Sequence, residues 1–281
     1  MKQGDLVEAI RVLETDLPDD VEASLRRCEA EEEGNAKAVL SAILENVRYA
    51  REKGIPMCQD TGTLVFFVSG APDASRVYEV IEGALIRATE EVPLRPNTVS
   101  PLSRENDGRN LGRGNPIVHF ERAGKADGRV EIGIMAKGAG SENVSRSYML
   151  DPDQGADGVR RAVLDAVKAA GPKPCPPIVL GVGIGGNLEW SGHLAKRALM
   201  RRLDCEADDR QVAQLEREVL GDINALGIGP MGFGGRNTAL KVNIEMAHCH
   251  TASLPVTVNI QCWALRRVVA EWQGGEFRIC R

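Results

Sequence analysis

The sequence predicts an α/β fold in which helices interleave with short strands, arranged as two subdomains around one cleft. Apolar residues recur at helical spacing in Val39, Leu40, Ile43, Leu44 and Val47, and again in Val77, Val80, Ile81 and Leu85. Short apolar runs at 64–68, 178–182, 239–245 and 256–261 are bounded by glycine, proline or polar clusters, as strands are. The two kinds of segment alternate along the chain, which is the pattern of mixed α/β layers. A length of 281 residues leaves room for one large domain or two modest ones.

Residues 1–53 read as helical. Pro18 followed by Asp19 and Asp20 suits a helix start, with acids facing the positive end of the dipole. Asn35 is a candidate N-cap for the next helix, Gly54 closes it, and Glu31, Glu32 and Glu33 read as a solvated face. A strand at 64–68 and a helix at 74–89 follow. Residues 94–114 form a long irregular stretch with Arg95, Asn97, Arg104, Asn106, Asp107, Asn110 and Arg113; loops of this length are functional or disordered. Strands at 117–120 and 130–135, joined by a turn rich in Gly and Asp, lead to the small-residue loop 137–141, whose backbone N–H groups could face an anion. Helices are expected at 158–170, 188–203 and in the segment holding Val212, Leu215, Val219 and Leu220.

Bulk properties exclude several classes. Apolar residues at 43% support a buried core, and a net charge of −5 argues against a non-specific nucleic-acid binder. No apolar run reaches the length of a membrane span, and the acidic N-terminus lacks a signal-peptide core, so the expected location is cytoplasmic. Seven cysteines, an odd count without a C-x-x-C pair, speak against a disulfide framework, a zinc ribbon or a ferredoxin-type motif. A metal site would have to be assembled from residues far apart in sequence.

Several stretches carry chemistry. Pro56 to Gly62 crowds a thiol, an amide, a carboxylate, a hydroxyl and a glycine into one turn. Lys173-Pro174-Cys175-Pro176-Pro177 pins the backbone around a second thiol. Cys175 is either a small buried hydrophobe or a rigidly held ligand. Gly181 to Gly186 matches the dinucleotide G-x-G-x-x-G pattern, with Asp204 at the usual distance. Asp204 does not end a second strand, so these glycines are read as serving packing or a carboxylate. A second glycine-rich loop spans 227–236. The strand at 256–261 delivers Cys262, and His248, Cys249 and His250 cluster before it without the spacing of a known zinc enzyme.

Taken in order, Cys58 to Gly62, Leu94-Arg95 with Asn106 to Asn110, Lys137 to Ser141, Lys173 to Pro177 with Gly181 to Gly186, Gly227 to Arg236 and His248 to Arg267 resemble one family. It is the α subunit of the oxygen-sensitive, iron–sulfur (class I) fumarate hydratases, similar to the α subunit of L-tartrate dehydratase. The resemblance covers nearly the whole chain. It implies a [4Fe–4S] cluster in the cleft, held by Cys58, Cys175 and Cys262 with one iron left open as a Lewis acid. Cys28, Cys205, Cys249 and Cys280 fall outside the ligand motifs and are read as structural. It further implies substrate contacts from Gln59, Arg95 and Gly140, and proton handling or orientation by Asp60 and His250. The implied reaction is reversible hydration of fumarate to (S)-malate, with tartrate dehydration as the alternative and a dinucleotide-dependent oxidoreductase as a remoter one. Residues 1–281 correspond in this reading to the N-terminal catalytic domain of single-chain relatives. A separate β subunit, carrying the swivelling domain and the catalytic base, is then expected as partner in an α2β2 assembly. Two departures stand out: Ala139 replaces the middle glycine of the Lys-Gly-Gly-Gly-Ser loop, and Asp107 replaces the threonine of Asn-Thr-Gly.

Overall fold

The computed structural model describes residues 1–71, 73–122 and 128–280. It is an α/β protein that divides into two compact units, one built from Met1–Asp19, Glu45–Ala139 and Arg266–Arg281, the other from Asp20–Leu44 and Gly140–Leu265. The N-terminal helical region is three helices, α1 (Gln3–Thr15), α2 (Asp19–Glu31) and α3 (Gly34–Lys53). Gly54 terminates α3 with φ +63°, a conformation that suits glycine. Asn35 is not the cap: α3 already begins at Gly34, so Asn35 lies inside its first turn.

In the first unit, β1 (Thr63–Ser69), α4 (Ala74–Glu91), β2 (Ile117–Phe120) and β3 (Val130–Lys137) join β8 (Arg266–Gln273) and β9 (Glu276–Cys280). The strand order is β2-β1-β3-β8-β9, with β1 and β2 parallel and the remaining pairs antiparallel. The predicted Gly- and Asp-rich turn between β2 and β3 falls largely on residues outside those described. Helix α1 buries Leu6, Ile10 and Leu13, and α4 buries Val77, Ile81 and Leu85, in one core with Phe66, Ile132 and Ile134. Alternate residues of β1 therefore face that core, as the period of two requires. Truncating the fully buried Phe66 to alanine would cost about 3–5 kcal/mol.

In the second unit, β4 (Arg146–Leu150), α6 (Gly155–Ala170), β5 (Ile178–Ile184), α7 (Leu188–Ala198), α8 (Arg210–Ala225), β6 (Ala239–Met246) and β7 (Leu254–Gln261) follow the short helix α5 (Ala139–Glu142). The sheet order is β4-β7-β5-β6, with β5 and β6 parallel. This corrects one expectation. A parallel strand does follow β5, but only after two helices, whereas the sequence reading looked for it near Asp204. The glycines of the G-x-G-x-x-G stretch serve packing. A Cβ on Gly181 would sit 2.0 Å from the Ala195 carbonyl oxygen, and one on Gly183 would sit 2.0 Å from that of Ser191. Helix α7 thus lies directly on the bare backbone of β5, filling the space a dinucleotide phosphate would need.

The acidic run before α3 is a second correction. Glu31 and Glu33 are exposed, but Glu32 is buried. Its Oε1 accepts hydrogen bonds from the backbone N–H groups of Arg236 and Asn237, both at 2.7 Å, and from Asn237 Nδ2 at 3.0 Å. A charged run read as solvated face thus supplies the carboxylate that fastens the glycine-rich loop 227–236.

Candidate active site

The first unit presents Cys58, Gln59, Asp60 and Arg95. The turn that carries the first three leaves α3 after Gly54 and is gripped at Met57. The Met57 N–H donates to the Glu14 carbonyl at 2.9 Å, and the Met57 carbonyl accepts from Asn46 Nδ2 at 2.8 Å. Met57 is buried, Cys58 and Asp60 are half-buried, and Gln59 is exposed. A regular element at this point would have spent these polar groups on its own ladder; the turn leaves them presented.

Asp60 is tightly specified. Its Oδ1 accepts the Gly62 N–H at 3.0 Å, its Oδ2 accepts the Ala139 N–H at 2.7 Å, and its backbone carbonyl accepts Arg266 Nη2 at 2.9 Å. The anion predicted to face the 137–141 loop is therefore, in this unit, the Asp60 carboxylate itself. Ala139 is compatible with that geometry: it opens α5 and is not among the residues with positive φ. Gly62 has no substitute. It sits at φ +76°, and a Cβ there would lie 2.8 Å from the Lys137 nitrogen.

The Arg95 backbone is locked to Thr61 by reciprocal bonds, its N–H donating to Oγ1 at 3.1 Å and its carbonyl accepting from Oγ1 at 3.4 Å. Asn110, in the left-handed region at φ +57°, closes the other side by accepting the Asn97 N–H at 2.7 Å and donating to the Arg95 carbonyl at 3.1 Å. Asn97 Nδ2 reaches the Gly62 carbonyl at 3.1 Å. The Arg95 residue is exposed, with no hydrogen bond or ion pair from its guanidinium among the described residues. The irregular stretch 94–114 is thus ordered by its own asparagines and opens onto a cleft of about 710 Å³ beside Asn97.

The second unit presents Gly140, Cys175, His250 and Cys262. Cys175 adopts φ +55°, a left-handed conformation that costs a non-glycine residue about 1–2 kcal/mol. The surrounding structure holds it there. Its N–H donates to the Pro172 carbonyl at 3.1 Å, and its carbonyl accepts the Trp263 N–H at 3.3 Å. The carbonyl of the next residue, Pro176, accepts the N–H of Met231 from the glycine-rich loop at 2.8 Å. Strand β7 ends at Gln261, so the bond from Trp263 brings the backbone of the Cys262 segment against that of Cys175. Gln261 Nε2 lies 3.8 Å from the Cys262 sulfur and donates to the Ala264 carbonyl at 3.1 Å. Both cysteines are half-buried. His250 is exposed, and its Nδ1 accepts the Ala252 N–H at 3.1 Å, which leaves Nε2 as the nitrogen able to carry the proton in the neutral ring. Gly140 is exposed at the start of α5.

The other cysteines divide. Cys28 is buried, and burial pushes its thiol up to about 12, so it stays protonated and packs. Cys205, Cys249 and Cys280 are exposed, which corrects the reading of all four as structural: these three fill no core. None of the seven forms a disulfide. Among the described residues no group of three or more His, Cys, Asp or Glu side chains is gathered as a metal site, and no helix is long and apolar enough to cross a membrane.

Sequence reasoning named residues that are exposed or half-buried and missed the buried carboxylates Glu14 and Glu32. Glu14 and Glu32 have no motif. Glu14 does have a signal: it falls in the apolar stripe of α1, one turn after Ile10, where a carboxylate is out of place unless paired.

Each unit presents polar or thiol side chains from segments set on a sheet-and-helix scaffold, as enzymes acting on small polar substrates do. The chain belongs to the Fumerase (fumarate hydratase) family, whose model matches residues 4–271. It is 45% identical over 276 residues to the "Putative L(+)-tartrate dehydratase subunit alpha" of Methanocaldococcus jannaschii, covering 96% of this chain and 97% of that one. It is 36% identical over 266 residues to the "Putative fumarate hydratase class I" of Geobacillus stearothermophilus, covering 90% of this chain and 51% of that longer protein. The L(+)-tartrate dehydratase subunit alpha of Escherichia coli (strain K12) is 32% identical over 260 residues, 91% of this chain and 86% of that one.

Proposed function

We propose that this chain is the α subunit of an iron–sulfur hydro-lyase that interconverts fumarate and (S)-malate, with Cys58, Cys175 and Cys262 as the three protein ligands of a [4Fe–4S] cluster. The observation that carries the reading lies in the second unit. Two thiols far apart in sequence, Cys175 and Cys262, sit on segments joined by the Trp263 N–H to Cys175 carbonyl bond, and Cys175 is held in a conformation a cysteine does not adopt without cause. The donor chemistry fits the group: thiolate sulfur is the ligand such clusters take, and all three cysteines are half-buried rather than sealed in a core. When bound, the cluster supplies an open iron that acts as a Lewis acid on the substrate hydroxyl.

The chain's own residues do the rest of the work assigned to it. Arg95 pairs with a substrate carboxylate through its planar fork of donors, and its locked backbone fixes where that fork starts. Gln59 and the Gly140 N–H donate to the substrate. Asp60, whose carboxylate already accepts two backbone N–H groups, orients the hydroxyl, and His250 Nε2 holds or moves a proton. The relatives named as α subunits support a separate β subunit, which in this reading brings the catalytic base and completes an α2β2 enzyme. The half coverage of the longer fumarate hydratase supports the same division.

Tartrate is the second reading, favoured by the 45% identity to a protein named for tartrate dehydratase. Anaerobic co-purification with the candidate β subunit and assay on both acids separates the two. The expected result is fumarate hydration well above L-tartrate dehydration, lost on exposure to air. The reverse preference would install tartrate as substrate, and a colourless complex fully active in air would sink the cluster.

A further inference from the structure

We infer that Arg266 is a positioning residue for the reaction, anchored by Glu14 and holding the Cys58–Asp60 turn from behind. The inference rests on the reading of that turn as part of the active site.

Arg266 opens β8 and is 1% exposed, and Glu14 is 0% exposed. Arg266 Nη1 donates to Glu14 Oε2 at 2.5 Å, while Nη2 donates to the Asp60 carbonyl at 2.9 Å. One guanidinium therefore links α1, β8 and the turn. Glu14 grips the turn a second time, because its own carbonyl accepts the Met57 N–H. The turn is thus fastened on both sides of Cys58 by a single buried pair.

A buried ion pair is an expensive way to stabilise a fold. Desolvation offsets the mutual attraction, and an apolar pair of similar volume would often do as well. What an apolar pair would not supply is a donor aimed at a backbone carbonyl. The second arm of the fork does that at Asp60, whose side chain is at the same time fixed by the Gly62 and Ala139 N–H groups. With the carbonyl and both carboxylate oxygens engaged, the residue has little freedom left. Asp60 and Arg266 are also the charged groups that act on Glu14, the first disfavouring and the second favouring its ionised form. The pair is therefore coupled electrostatically to the residue it positions.

Arg266→Lys tests this in the αβ complex. Lysine keeps the charge opposite Glu14 and loses the fork that also reaches Asp60. At equal iron content, kcat should fall about 10–100-fold with KM for fumarate little changed, the signature of misplacement rather than lost binding. Amide exchange gives a readout independent of activity: the Gly62 and Ala139 N–H groups should exchange at least about tenfold faster, with β5 amides unchanged. Unchanged kcat per cluster together with unchanged exchange in the folded complex would overturn the inference. So would free exchange of the Gly62 amide in the wild-type protein, a measurement needing no variant. Should Arg266→Lys fail to fold, the double variant Glu14→Gln, Arg266→Gln removes both charges together and is read the same way. A wild-type complex without hydro-lyase activity would remove the functional reading, while the exchange data would still judge the anchoring.

Discussion

The thiol-bearing loops at Cys58 and Cys175 are held by different means. The turn at Cys58 is fastened by groups distant in sequence, Glu14, Ala139 and Arg266, and by Asn46 of the preceding helix. The loop at Cys175 also takes long-range bonds, from the Trp263 and Met231 N–H groups, but adds stiffness of its own through flanking prolines and the Cys175 N–H to Pro172 carbonyl bond. The first is rigid only when its whole unit is folded. The second carries much of its rigidity in its own covalent structure. Damage to the first should therefore propagate, and damage to the second should stay local.

The sharpest way to break that contrast is Gly62→Ala. The new Cβ would meet the Lys137 backbone at 2.8–2.9 Å with φ at +76°, so either the turn or the end of β3 must move. Strain of this kind, together with the steric clash, should cost about 3 kcal/mol or more. Chemical denaturation of the full chain measures it; a loss under about 1 kcal/mol would mean the turn is looser than described.

Acidity probes the same anchor. Burial pushes the Glu14 carboxyl up to about 7 from 4.5, with the Arg266 guanidinium pulling the other way. A folded-state value raised above the unfolded one means the folded chain binds the extra proton. The associated stability is full below pH 4.5 and is lost as the pH rises through about 7. Stability of wild type relative to Glu14→Gln should fall between pH 4.5 and 8. A flat difference would show that Arg266 keeps Glu14 ionised throughout.

The smallest effect belongs to the other loop. Pro172→Ala removes a restraint on the unfolded chain at an exposed position and should cost no more than about 1 kcal/mol. A larger loss, matching that of Gly62→Ala, would erase the distinction between the loops.

The same contrast explains what could be read in advance. Proline, glycine and apolar period are local signals, so the helices, most of the strands and the Cys175 loop were legible. Strands β4, β8 and β9 were not anticipated. β4 is a short, mostly exposed edge strand with only Tyr148 and Leu150 turned to the core, and β8 opens on two buried arginines, Arg266 and Arg267, that mask its apolar alternation. Glu32 was misread for a related reason. Nothing in a Glu-Glu-Glu run says that its middle member will meet the N–H groups of Arg236 and Asn237, some two hundred residues away. The residues proposed for the site stand out in the sequence because they carry motif and chemistry. Their supports, Glu14 and Arg266, do not, because pairing across such a distance is a property of the fold.

Three thiols among the seven are assigned to the cluster: Cys58, Cys175 and Cys262. Iron and sulfide content, measured anaerobically on the chain with its partner subunit, tests that assignment most directly. Wild type and Cys205→Ser should each hold about four irons, while Cys58→Ser, Cys175→Ser and Cys262→Ser should each lose most of their iron and their activity. A full cluster in any of those last three variants, or its loss in Cys205→Ser, would contradict the assignment.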